Sequence, residues 1–171
     1  MHHVTPTCLL LLLLNSSSVF ASSDAECGIW MCAPTGFSTG CSDSKKAFKH
    51  RIKHFKPPLP SFMGCMVDSG YTDESGQTSL IQSKEGSVAY SPRYDVCTRR
   101  NERTCLRWKH EPSKLYKNKR CTRDSRDHRS PTHCTATYRY VEMWMDGQRY
   151  GEAYFYNKSG EVVTADVIIG D

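Results

Sequence analysis

Eight cysteines, Cys27, Cys32, Cys41, Cys65, Cys97, Cys105, Cys121 and Cys134, punctuate the chain behind a short apolar leader, and nothing else in it restricts the fold as much. The ninth, Cys8, opens the apolar run 8–14. That run is too short to span a bilayer, and Val19 and Ala21 stand where small residues precede a cleavage site, so residues 1–21 read as a signal peptide. An exported chain left with an even number of cysteines is expected to pair them, in the periplasm or outside the cell. Eight cysteines allow on the order of a hundred pairings, and spacing alone does not choose among them.

Charge divides the rest of the chain. The formal net charge is +5, but residues 45–56 carry six Lys/Arg and no acid, residues 93–130 carry thirteen Lys/Arg against five acids, and residues 131–171 carry three against six. A basic protein polarised in this way points to anionic partners: phospholipid headgroups, lipopolysaccharide phosphates, nucleic acid or an acidic protein. No other long apolar run follows the leader, so no transmembrane anchor is expected in the mature form.

Residues 22–66 form a cysteine-rich module. Within it, 45–56 has helical periodicity, with Phe48, Ile52 and Phe55 on one stripe, Ser42 or Ser44 as cap, and Lys46, Lys49, His50 and Lys53 on the opposite side. Pro57, Pro58 and Pro60 end the helix, because proline has no N–H to donate and restricts the residue before it. Residues 67–93 are rich in Ser and Gly and read as a linker, with one short strand near Thr78–Ile81. Residues 94–171 begin as a basic segment, poor in aliphatics, that needs disulfides to order it. They end in alternating strands around Asp146-Gly147, a dipeptide that favours a tight hairpin turn, and a second turn at 157–160 suggests a three-stranded antiparallel meander. The expected class is α+β: a small disulfide-rich protein with an N-terminal amphipathic helix and a C-terminal β-meander.

Chemical motifs are sparse. His50 and His54, spaced i, i+4, could share a metal ion, but they sit among cations with no third ligand adjacent, and structural disulfides outweigh zinc. Trp108 and Tyr116, set among Arg and Lys, suit single-stranded nucleic acid only weakly. His110, His128 and His133 are the candidates for a nuclease, which needs an acid, a base and a phosphate stabiliser in one cleft. Neither a nucleophile elbow, a zinc-protease helix, a phosphate loop nor a CxxC pair is present, and no cofactor is expected. Asn157-Lys158-Ser159 matches a glycosylation sequon, relevant in a eukaryotic secretory pathway.

One stretch carries a resemblance. "CGIWMCAPTGFSTGCSDSKKAFKHRIKHFKPPLPSFMGC", residues 27–65, resembles the N-terminal cysteine signature of exported conjugal transfer proteins of the TraL type, and its layout is similar to that of the TrbM/KikA group. The late "YVEMWMDGQRYG" is similar to the TraL-type proteins as well. The resemblance implies a periplasmic, non-enzymatic accessory of plasmid conjugation, that is, of mating-pair formation by type IV secretion, with the four cysteines and the basic helix as defining positions. The unpaired positive face of the helix, Lys46, Lys49, His50 and Lys53, is the expected anion- or partner-binding surface. The rival readings are a secreted hydrolase, either nuclease or cell-wall enzyme, and a membrane-active antibacterial or host-killing effector using the amphipathic helix.

Overall fold

The computed structural model describes residues 22–69 and 81–170. The leader 1–21 and the expected strand residues Thr78–Leu80 lie outside the described residues. The fold is mixed α+β, mostly β: short helices α1 (Asp24–Cys27), α2 (Ile29–Cys32), α3 (Ser42–Lys53) and α4 (Phe62–Ser69) precede a curled sheet, and four disulfides staple the chain. Among the described residues no helix is long and apolar enough to cross a membrane.

Among the described residues nine strands follow: β1 (Ile81–Ser91), β2 (Tyr94–Asn101), β3 (Thr104–Glu111), β4 (Lys114–Lys117), β5 (Thr122–Arg123), β6 (Arg129–Ser130), β7 (Ala136–Met145), β8 (Gln148–Tyr156) and β9 (Val167–Ile169). The main sheet runs β8-β7-β1-β4-β9, while β2-β3 and β5-β6 form separate two-stranded ribbons. The expected linker therefore contains the central strand. β1 pairs antiparallel with β7 from Ile81 opposite Met145 to Tyr90 opposite Ala136. Its Ser and Gly content hides a packing requirement: Gly86 lies opposite Tyr140, and a Cβ there would come within 2.6 Å of that ring.

The hairpin at Asp146-Gly147 forms as expected, with φ of 51° and 80°, both in the left-handed region that such turns require. The meander does not continue from it. After an isolated bridge between Tyr156 and Val162, the chain crosses the sheet, and β9 pairs in parallel with β4 at the far edge. What carries it across is Asp166, which accepts hydrogen bonds from Arg93 Nε (2.9 Å) and Nη2 (2.6 Å) and from Ser113 N (2.8 Å) and Oγ (2.7 Å).

Alternation along β7 and β8 feeds two cores. Val141, Met143, Tyr154 and Tyr156 face the helices and meet Ile29, Trp30, Phe37 and Phe48. Tyr140 and Phe155 face the other side with Val88 and Leu115, beneath Val163 and Ala165 of the crossing segment. At the first junction Phe37 and Phe48 meet Tyr154, and Phe48 meets Tyr156, edge-on with ring centroids 5.0–5.2 Å apart, a geometry that favours aromatic pairs beyond their area alone, while Phe37 and Phe48 lie tilted at 5.4 Å. Strand β8 bends to admit the helical layer: Gly151 has φ +70°, and a Cβ there would lie 2.3 Å from Pro34.

The four contacts on Asp166 hold its carboxyl well below the usual carboxylate range, Arg93 first and Ser113 next. Because the folded value is depressed, the stabilisation is fully present above the ordinary value of about 4 and is lost as pH falls through the folded one. Acidification to well below about pH 4 is therefore expected to release β9 from β4, read as falling amide protection across Val167–Ile169, and Asp166→Asn should show the same loss at neutral pH. Protection there that is unchanged by both would contradict this anchoring.

Candidate functional site

The basic helix is less open than its sequence suggests. It spans Ser42–Lys53 with Cys41 in the cap position, and no Ser side chain caps it. Phe48 is fully buried and Ile52 packs on the same core, but Phe55, counted on the apolar stripe, lies beyond the helix end at φ 56° and is 98% exposed. Pro58, Leu59 and Pro60 fold back and are buried, so the proline-rich stretch is core rather than an exit. Arg51 makes this possible. Buried itself, it donates from Nε to the Pro57 carbonyl (2.9 Å), from Nη2 to the Leu59 carbonyl (3.1 Å) and from Nη1 to Glu26 (3.0 Å), tying α3, α1 and the proline turn together.

Of the expected binding residues, Lys49 is occupied: its Nζ lies 2.7 Å from Glu161, in the turn that ends β8. The Glu161 carboxyl is held below its ordinary range by the Lys49 hydrogen bond above all, with Lys45 and Lys53 adding their fields. Lys46 pairs with Asp43 on the surface (3.0 Å). His50 and Lys53 are exposed, and the His50 ring lies 4.2 Å from that of His54. Among the described residues no group of three or more His, Cys, Asp or Glu is placed to hold a metal ion. The module is closed instead by nested disulfides, Cys27–Cys65 around Cys32–Cys41.

The second basic stretch divides. Arg93, Arg120, Arg123 and Arg129 are consumed internally by Asp166, Ser87, Asp127 and the Cys134 carbonyl, around the Cys121–Cys134 disulfide. Ribbon β2-β3 behaves differently. Tyr94 stacks on His133 at its base with centroids 4.0 Å apart, and from there both strands are exposed along most of their length. A two-stranded hairpin alone is marginal in water, and here Cys97–Cys105 cross-links it below a tight turn at Glu102-Arg103. Asp95 pairs with His110, and Glu111 with Lys109 (2.5 Å) and Lys114 (3.0 Å). That leaves Arg99, Arg100, Arg103 and Arg107 on the ribbon with no ion-pair partner among the described residues, against the one carboxylate Glu102. Beside them Val96, Leu106 and Trp108 are exposed, the last two at 57% and 55%.

Tyr116, grouped with Trp108 in sequence, stands on β4 in the main sheet. The three candidate catalytic histidines take separate positions: His110 with Asp95 on the ribbon, His128 with Asp124 (3.2 Å) in the β5-β6 turn, and His133 stacked on Tyr94. Neither His–Asp pair is joined by a serine or cysteine hydroxyl or thiol among the described residues. In the sequon, Asn157 Oδ1 accepts from the N–H groups of Ser159 (2.9 Å) and Glu161 (3.0 Å), shaping the turn that reaches Lys49.

Sequence reasoning weighed the ribbon's arginines only as part of one long basic segment. The signal that singles them out was present in the Cys97 and Cys105 spacing, since two cysteines flanking a seven-residue Arg-rich stretch suit a cross-linked hairpin. Comparison with protein-family models, with curated proteins and with solved structures finds no match to this chain.

Proposed function

We propose that this protein acts in the periplasm as a non-enzymatic accessory of conjugative plasmid transfer, part of a type IV secretion or mating-pair formation system, and that it works by binding through a basic surface. The resemblance of residues 27–65 to the exported conjugal transfer proteins supports the context, and the four disulfides fit an oxidising compartment outside the cytoplasm. The observation that carries the binding mode is the set of four arginines on a cross-linked ribbon that the rest of the chain leaves without counter-charges. Self-repulsion among exposed like charges costs stability, and a binding role gives that cost a use.

Deletion of the gene from its element, followed by measurement of mating frequency, tests the reading. Transfer is expected to fall and to be restored by the wild-type gene supplied in trans. Arg99→Glu with Arg107→Glu, two residues paired across the ribbon, should fail to restore it while the exported protein accumulates normally. Unchanged transfer after deletion would overturn the proposal.

A further inference from the structure

The ribbon's apolar side chains need an explanation that its arginines do not supply. Val96, Leu106 and Trp108 are exposed on an element that packs on itself and covers no core. Phosphates alone ask for cations. Nucleic-acid strands ask for cations with a series of stacking rings, and the ribbon beyond its base offers one indole, with Leu106 close by in β3 and Val96 on the other face. Aliphatics, a tryptophan and arginines together match the boundary of a lipid bilayer, where indoles settle at headgroup level, apolar side chains enter the acyl region, and long cationic side chains bury their stems while their heads stay with phosphate.

Resting on the reading of this ribbon as the binding surface, we infer that the β2-β3 ribbon docks the protein on an anionic phospholipid bilayer, Leu106 and Trp108 entering the interface and Arg100 and Arg103 near the turn meeting lipid phosphates, while Arg99 and Arg107, paired with each other on the face opposite Trp108, add attraction at longer range. Charge complementarity fixes the sign of the surface, and the cross-link Cys97–Cys105 holds the ribbon ordered before it arrives, so little ordering entropy is lost on docking. Each arginine near an anionic surface contributes on the order of fivefold in affinity. Four of them with Leu106 and Trp108 give reversible peripheral binding rather than insertion.

The test uses the exported, oxidised full-length protein with vesicles of equal parts phosphatidylglycerol and phosphatidylcholine, and with pure phosphatidylcholine, at low ionic strength. Co-sedimentation is expected with the anionic vesicles and to weaken with added salt. Trp30 is buried and Trp144 is half-buried beneath Lys84 in the main sheet, so a blue shift of emission on binding should come from Trp108 and disappear in Trp108→Phe. Arg99→Glu/Arg107→Glu should weaken binding by about 25-fold or more, and Leu106→Ser/Trp108→Ser should weaken it at unchanged thermal stability. Failure of the wild-type protein to bind anionic vesicles overturns the inference, as does binding that both variants leave unaltered. Tighter, salt-sensitive capture of single-stranded oligonucleotides than of vesicles assigns the ribbon to nucleic acid and also overturns it. If vesicle binding fails while the arginine variant still abolishes mating, the proposed function stands and only the bilayer is removed.

Discussion

Lys117→Met is expected to destabilise the protein by about 3–5 kcal/mol, because it strands a carboxylate inside the sheet. Lys117 and Glu142 are 8% and 5% exposed, and Lys117 Nζ lies 2.5 Å from Glu142 Oε1. The pair spans β1: Lys117 stands opposite Val88 on one side of that strand, and Glu142 opposite Lys84 on the other. Lys117 also lies over the Tyr140 ring, 5.2 Å from its centroid, and Arg149 approaches Glu142 at 3.6 Å. The Arg149 contact softens the loss without replacing a direct bond. Removing both charges, as in Lys117→Met/Glu142→Leu, should recover most of it, since two desolvated charges contribute little net when paired and much when one is left alone. Urea unfolding with an unchanged slope gives the measurement, and a single variant within about 1 kcal/mol of wild type would remove the pair as a structural determinant.

Opening Cys27–Cys65 by serine at both positions should cost about 4 kcal/mol on loop-closure grounds for a sequence separation of 38. This bond joins α1 to α4, which also sets Phe62 edge-on against Trp30 at 5.2 Å. A loss of that size is a large part of a small domain's stability, so a fall in melting temperature of many degrees is expected. Cys97→Ser/Cys105→Ser offers the contrast. Its loop separation is 8 and its ribbon lies apart from both cores, so the ribbon should fray with little change in the main transition. Equal losses from the two double variants would show that the ribbon is coupled to the cores after all.

How much of this was legible in the sequence depended on how local each cause was. The helix centred on Phe48 and the turn at Asp146-Gly147 follow from periodicity and from one dipeptide, and both form. Strand β1 was hidden because its composition answers to a distant residue: glycine at 86 reads as a turn former until Tyr140 is laid over it. Phe55 counted toward a stripe because periodicity has no knowledge of where a helix stops. Lys49 was read as open because its acid, Glu161, lies more than a hundred positions away. The ribbon's arginines were visible as charge, while their lack of partners became visible only when the neighbouring arginines had been paired off in space. β9 joins β4 in parallel through Asp166, a long-range connection that no local pattern announces.

The disulfide map also bears on how the chain matures. In the β half the partners are neighbours in order of appearance, Cys97 with Cys105 and then Cys121 with Cys134. In the helical half they nest, Cys27 waiting for Cys65 while Cys32 takes Cys41. An oxidase that joins thiols as they emerge from a translocation channel would reach the correct bonds in the second half. In the first half it would link Cys27 to Cys32 before either true partner arrived. Correct pairing there would call for thiol–disulfide exchange once the whole module had emerged, whereas the β half would reach its bonds without it.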